Sequence, residues 1–117
     1  MALTQDFRIA FAERVKREPD FAKAMLDEAA ELFLNGEPEI ARVILRDLVN
    51  ATIGFEQLAI DTSKPSKSLH RMLSRRGNPS MDNLAAIFDA MRTKLKVGIE
   101  VHTVKRAPSR RASAPRA

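Results

Sequence analysis

Residues 35–38, Asn-Gly-Glu-Pro, limit the fold more than any other tetrad in this chain. Asn35 and Gly36 tolerate the left-handed backbone that ends a helix, and Pro38 suits the first turn of the next one. Pro19 makes a similar break earlier. Between these breaks the apolar residues recur at helical spacing. A first helix is expected from Thr4 to about Glu18, with Phe7, Phe11 and Val15 at i, i+4, i+8 and Ile9 and Ala12 beside them. Asp20 is placed to cap a second helix, Phe21 to Leu34, whose apolar side holds Met25, Leu26, Ala29, Leu32 and Phe33. A third runs from Pro38 to about Asn50, with Ile40, Val43, Ile44, Leu48 and Val49 on its apolar side.

Shorter elements follow. Thr52-Ile53-Gly54 reads as a connection, Phe55–Asp61 as a short fourth helix and residues 62–65 as a turn. Ser66 to Leu73 or Ser74 reads as a fifth helix, and "RRGNP" as a loop. Ser80 is a good N-cap for a sixth helix, Met81 to about Thr93, with Leu84, Ile87, Phe88 and Met91 inward. Next, "LKVGIEVHTV" alternates Leu95, Val97, Ile99 and Val101 against Lys96, Gly98, Glu100 and His102. Period two with β-branched residues predicts a strand at 95–104. Its partner is either within the subunit or in a second one. Residues 105–117 have nothing to bury and are expected to form a disordered basic tail.

One domain of modest core is the default for 117 residues with 44% apolar content. Absence of cysteine excludes disulfides, Cys-ligated zinc and thiol catalysis, and fits a cytoplasmic location. No apolar run approaches the length of a membrane span, and the first residues lack the order of a signal peptide. No phosphate-loop, dinucleotide or nucleophile-elbow motif occurs, so no enzyme and no cofactor is expected. His70 and His102 are far apart, with no nearby carboxylate pair, which argues against a metal site.

Charge divides the chain. Residues 1–63 carry seven Lys or Arg and twelve Asp or Glu, whereas residues 64–117 carry thirteen and three. A basic half beside an acidic half points to a polyanionic partner for the first. The changeover falls at "PSKSLHRMLSRRGNPS", Pro65–Ser80, which holds four Lys or Arg, His70 and no acid. Its large apolar residues, Leu69, Met72 and Leu73, form a seam at helical spacing. Two short helices joined by a tight turn, the second basic, make a helix-turn-helix pattern. Leu58 and Ala59 face inward on the first helix, and small Ala59 permits close approach. Four residues later, where glycine is usual, stands Ser63. Ser66, Lys67, His70, Arg71 and Ser74 point outward, with Ser68 beside them.

Each of these has a chemistry. Lys67 and Arg71 can donate to guanine O6 and N7, or to phosphates. Ser66 opens the helix, where unpaired N–H groups favour a phosphate. His70 can donate to a base edge or a phosphate. Arg75 and Arg76 suit phosphate clamps, and Gln57 is a further phosphate donor.

Residues from about Leu45 to Ala90 resemble the XRE (Cro/repressor-like) helix-turn-helix regulators. The resemblance is greatest to the addiction-module antidote subgroup, HigA-like antitoxins and prophage-type DNA-binding proteins. The sub-motifs "GFEQLA", "PSKSLHRMLS", "GNPS" and "NLAAI" carry it, in the family's order. The resemblance implies an all-α, lambda-repressor-like bundle and a homodimer on a palindromic double-stranded operator. It also implies a RelE/ParE-like toxin as partner, and it places Ser66, Lys67, His70 and Arg71 on the recognition helix. Ser63 and the Arg75-Arg76 pair depart from the family's pattern.

The expected organisation is therefore four segments. Residues 1–50 form an N-terminal helical extension for packing or toxin binding, and 51–93 the DNA-binding core. Residues 94–104 form a strand for dimerisation, and 105–117 the tail. The expected function is a repressor and antitoxin that regulates its own operon at the nucleoid. The alternative is a protein-interaction module that neutralises a partner without reading DNA.

Overall fold

The computed structural model describes residues 2–106, with side chains from Asp6 onward. Six helices occur in order: α1 (Ala2–Arg17), α2 (Pro19–Leu34), α3 (Pro38–Ala51), α4 (Gly54–Thr62), α5 (Ser66–Met72) and α6 (Met81–Leu95). The fold is all-α among the described residues, and none of these helices is long and apolar enough to cross a membrane. The expected basic tail lies, from residue 107 on, outside the described residues.

Proline sets two of the starts. Pro19 and Pro38 occupy the first helical positions of α2 and α3, where a missing N–H costs no helical bond. Asp20 is therefore not the cap; it sits in the first turn of α2, one residue inside Pro19. Ser80 does cap α6, its Oγ accepting from the Asn83 N–H at 3.1 Å.

Three helix ends share one device. The N–H of Glu37, Lys64 and Val97 reaches back to the carbonyls of Leu32, Ala59 and Arg92, closing α2, α4 and α6. Such closure puts the residue before it in the left-handed region. Gly36 fills that position after α2 at φ 87°, but Ser63 and Lys96 fill it after α4 and α6 at φ 56° and 60°. The expected glycine-like bend at Ser63 is present. A left-handed residue with a side chain costs about 1–2 kcal/mol, and glycine's extra unfolded-state entropy offsets about half of that. Ser63→Gly is thus expected to stabilise the protein by about 0.5–1 kcal/mol, read as a higher midpoint in urea unfolding. A lower midpoint would mean that the serine side chain contributes more than its backbone costs.

One apolar cluster runs through all six helices. Phe11 and Val15 come from α1, and Ala22, Leu26 and Ala29 from α2. Leu45, Leu48 and Val49 come from α3, Phe55 and Leu58 from α4, Leu69 from α5, and Ile87 and Met91 from α6. Leu73, just past α5, joins them. Helix α3 is the hub, packing on α1, α2 and α4, while α6 closes against α2 and α4. The rings of Phe33 and Phe88 meet edge-on at 5.8 Å across the α2–α6 contact.

Several inward assignments shift. Phe7 is 61% exposed and rests against the Phe11 ring instead of entering the core. On α3 the buried stripe is Ala41, Leu45, Leu48 and Val49, and Ile40 is half exposed at 52%. Asp47 is buried beside that stripe, 3.3 Å from the Arg46 guanidinium and 3.9 Å from that of Arg8. Among the described residues no buried side-chain nitrogen or oxygen lacks a hydrogen-bond partner.

The expected strand at 95–104 does not form within the chain. Helix α6 runs through Leu95, because Ile87, Met91 and Leu95 continue one helical stripe at i, i+4, i+8 and Leu95 packs on the core. After the turn at Lys96, residues 97–106 adopt neither helix nor strand. Pairing within the subunit is thereby excluded for the described residues: no second segment offers a ladder. The period-two pattern survives in the burial. Val97 and Ile99 pack on the core, while Gly98 and Glu100 face solvent.

Candidate nucleic-acid interface

Helices α4 and α5 stand at the junction of the acidic and basic halves. Residues 63–65 link them, with the left-handed bend at Ser63 and then Pro65 at the N-cap of α5. Seven residues make a helix too short to persist alone, so α5 depends on what it docks against. Leu69 and Leu73 supply the dock. Both are fully buried in the common cluster, with half-buried Met72 alongside. With that stripe inward, the side chains of Lys67, His70 and Arg71 are exposed.

A second set of contacts fixes the far end of α5. Arg42, on α3, donates from Nε to the Ser74 carbonyl at 3.0 Å and from Nη2 to the Arg75 carbonyl at 2.7 Å. Both carbonyls belong to the turn just past α5, so Arg42 ties that turn to α3 with two hydrogen bonds from a charged donor. Gly77 then lies against the same end. A Cβ on it would stand 2.2 Å from the Met72 carbonyl oxygen and 2.6 Å from that of Arg71. Its N–H donates to the Ser74 carbonyl.

The expected site residues fall into four states. Lys67, Arg71 and Arg76 are exposed and have no carboxylate partner among the described residues. His70 is exposed but oriented: its ring stacks on Phe55 of α4, centroids 3.9 Å apart and planes within 20°. Three more are engaged. Gln57 donates to Asp61 one turn on, at 2.9 Å. The Ser74 hydroxyl donates to the Arg71 carbonyl at 2.8 Å, so it serves the end of α5. Arg75 is held by Glu39 of α3 at 3.4 Å. Ser66 and Ser68 are half-buried, on the flanks of the exposed stripe.

No family model, curated protein or solved structure matches this chain. Its function rests on the site itself.

Sequence reasoning missed three residues that shape the face. Arg42 and Glu39 lie more than thirty residues before the groups they hold, and nothing local in "PEIARVIL" indicates those partners. Phe55 was expected only as the start of a helix; its stack with His70 depends on how α4 and α5 meet. The resulting surface is a row of unpaired cations on a short, firmly seated helix, continued by Arg76 in the loop. Chemically it can donate hydrogen bonds and positive charge to an anion larger than one side chain. Among the described residues no group of three or more His, Asp or Glu is gathered as metal ligands would be.

Proposed function

We propose that the protein is a sequence-specific DNA-binding repressor, with α4 and α5 as a helix-turn-helix and α5 as its recognition helix. The observation that carries the reading is the exposed face of α5. Lys67 and Arg71 stand there without carboxylate partners and His70 is stacked in place, all on a helix anchored by Leu69 and Leu73. Helices of this kind enter the major groove with three or four side chains reaching base edges. Arg71 and Lys67 offer the donors that guanine accepts, and Arg76 and Arg75 suit the flanking phosphates. Glu39 holds Arg75 in the free protein and would yield it to a phosphate.

The wider reading is an antitoxin that represses its own operon as a homodimer on a palindrome, in the cytoplasm at the nucleoid. The charge division supports it: the N-terminal half is acidic and exposes Leu34 and Ile40, a surface suited to a basic RelE/ParE-like toxin.

The test is binding to the DNA upstream of the protein's own gene, against unrelated duplexes, over a range of salt. Selective binding at nanomolar concentration supports the repressor. Absence of DNA binding together with co-purification of the neighbouring gene's product would leave a protein-interaction module instead. Within the first outcome, Arg71→Ala is expected to cost about 1–3 kcal/mol and to relax selectivity at one position. An equal loss on every duplex, with a smaller salt slope, would reassign Arg71 to a phosphate.

A further inference from the structure

We propose that residues 98–104 pair antiparallel with the same segment of a second copy, centred on Val101, and so form the subunit contact of a dimer. This deepens the dimer in the reading above by naming its surface, but its test needs no DNA. The first argument is the unfilled valence of the segment. Residues 97–104, "VGIEVHTV", are rich in β-branched residues and free of proline, yet they have no ladder among the described residues. Such an edge is a template for another strand. Val97 and Ile99 already rest on the core. Val101 continues their face by period two but is 65% exposed, and Val104 on the opposite face is 76% exposed.

The second argument fixes the occupant and the register. Opposed residues of an antiparallel pair point to the same face, so only pairings centred on a residue are open to two identical segments. Centring on Glu100 sets two carboxylates against each other. Centring on Ile99 or on Gly98 stops the ladder at Lys96, whose left-handed backbone cannot follow, and so leaves residues 102–104 unpaired. Centring on His102 opposes the two imidazoles. Centring on Val101 is complementary throughout. Glu100 faces His102 of the second copy twice, by symmetry, and Ile99 faces Thr103. Val104 lies over Gly98, where an added Cβ would meet nothing within 4 Å of its own chain. The segment's one carboxylate therefore meets a hydrogen-bonding side chain on a second copy of itself instead of another carboxylate.

The chain has no cysteine, so single thiols report the register without interference. Opposed Cα atoms about 4.5–5.5 Å apart suit a disulfide. On mild oxidation Val101→Cys is expected to give a covalent dimer and Val104→Cys to remain uncrosslinked. In sedimentation equilibrium without DNA, Glu100→Lys is expected to raise the dimer dissociation constant about tenfold, because both Glu100–His102 oppositions lose their acceptor carboxylate. The double variant Glu100→Lys, His102→Glu is expected to restore it. A monomeric wild-type chain at micromolar concentrations, equal crosslinking at 101 and 104, or a double variant no tighter than Glu100→Lys would each overturn the proposal. A dimer that passes these tests yet ignores operator DNA would count against the repressor reading alone.

Discussion

Leu69→Ala is expected to destabilise the protein by about 2–5 kcal/mol, among the largest effects of any single side chain in the region. Leu69 is fully buried and is the only wholly buried residue that α5 contributes to the common cluster. Removing its side chain leaves a cavity bounded by residues from several helices, which cannot collapse around it together. For a chain of this size the loss should lower the unfolding temperature by about 4–8 °C per kcal/mol. The functional consequence follows from the same contact. Lys67, His70 and Arg71 share the helix with Leu69, so under the proposed function affinity for DNA should fall with stability, whereas Lys67→Ala should leave stability within about 0.5 kcal/mol. Leu69→Met, which conserves volume, should cost less than about 1.5 kcal/mol and keep most of the binding. Urea unfolding of the three variants checks the order. A stability loss for Leu69→Ala no larger than that for Lys67→Ala would contradict the packing of α5.

The second large effect is expected at Gly77. Its backbone needs no unusual dihedral; its constraint is close approach to the end of α5. The atoms a methyl group would strike are the Met72 and Arg71 carbonyl oxygens, which are main-chain and cannot swing aside. Overpacking of this kind costs about 1–3 kcal/mol, and more where backbone must move. Gly77→Ala should also displace residues 74–76, and with them the carbonyls that Arg42 holds and the Arg75 and Arg76 side chains. A lower unfolding midpoint is therefore expected and, under the proposed function, weaker DNA binding at fixed salt along with it. Full stability in Gly77→Ala would show that the loop has another route past α5.

Much of this architecture was legible as pattern. Helical spacing located all six helices, because proline and Asn35-Gly36 punctuate the apolar stripes so sharply. Ser80 announced its own cap, and the position of Ser63 relative to Ala59 announced a left-handed turn. What was not legible depends on partners distant in sequence. Of the expected stripe on α3, Leu48 and Val49 are buried and Ile44 packs on the core, but Ile40 is half exposed and Ala41 and Leu45 are buried instead, because α1, α2 and α4 surround α3 unequally. At residues 95–104 alternation suggested a strand, but Leu95 belongs to the helical stripe of α6 and the remainder finds no partner in its own chain. At the candidate interface the exposed cations followed from charge and spacing. The Glu39–Arg75 pair, the Arg42 bonds and the Phe55–His70 stack did not, since each joins elements that only the tertiary fold brings together.

Arg42 has a further consequence for how the basic face would work. Helix α5 is held at one end by the turn at Ser63 and at the other by Arg42 on the Ser74 and Arg75 carbonyls. Ordering backbone costs about 1–2 kcal/mol per residue, and a free seven-residue segment would meet that cost at the moment of docking. Here it is met when the protein folds. Association then has only side chains to order, so contacts made by Lys67, His70 and Arg71 would appear almost undiminished in affinity. Helix α5 is a preset die, cast before any partner arrives.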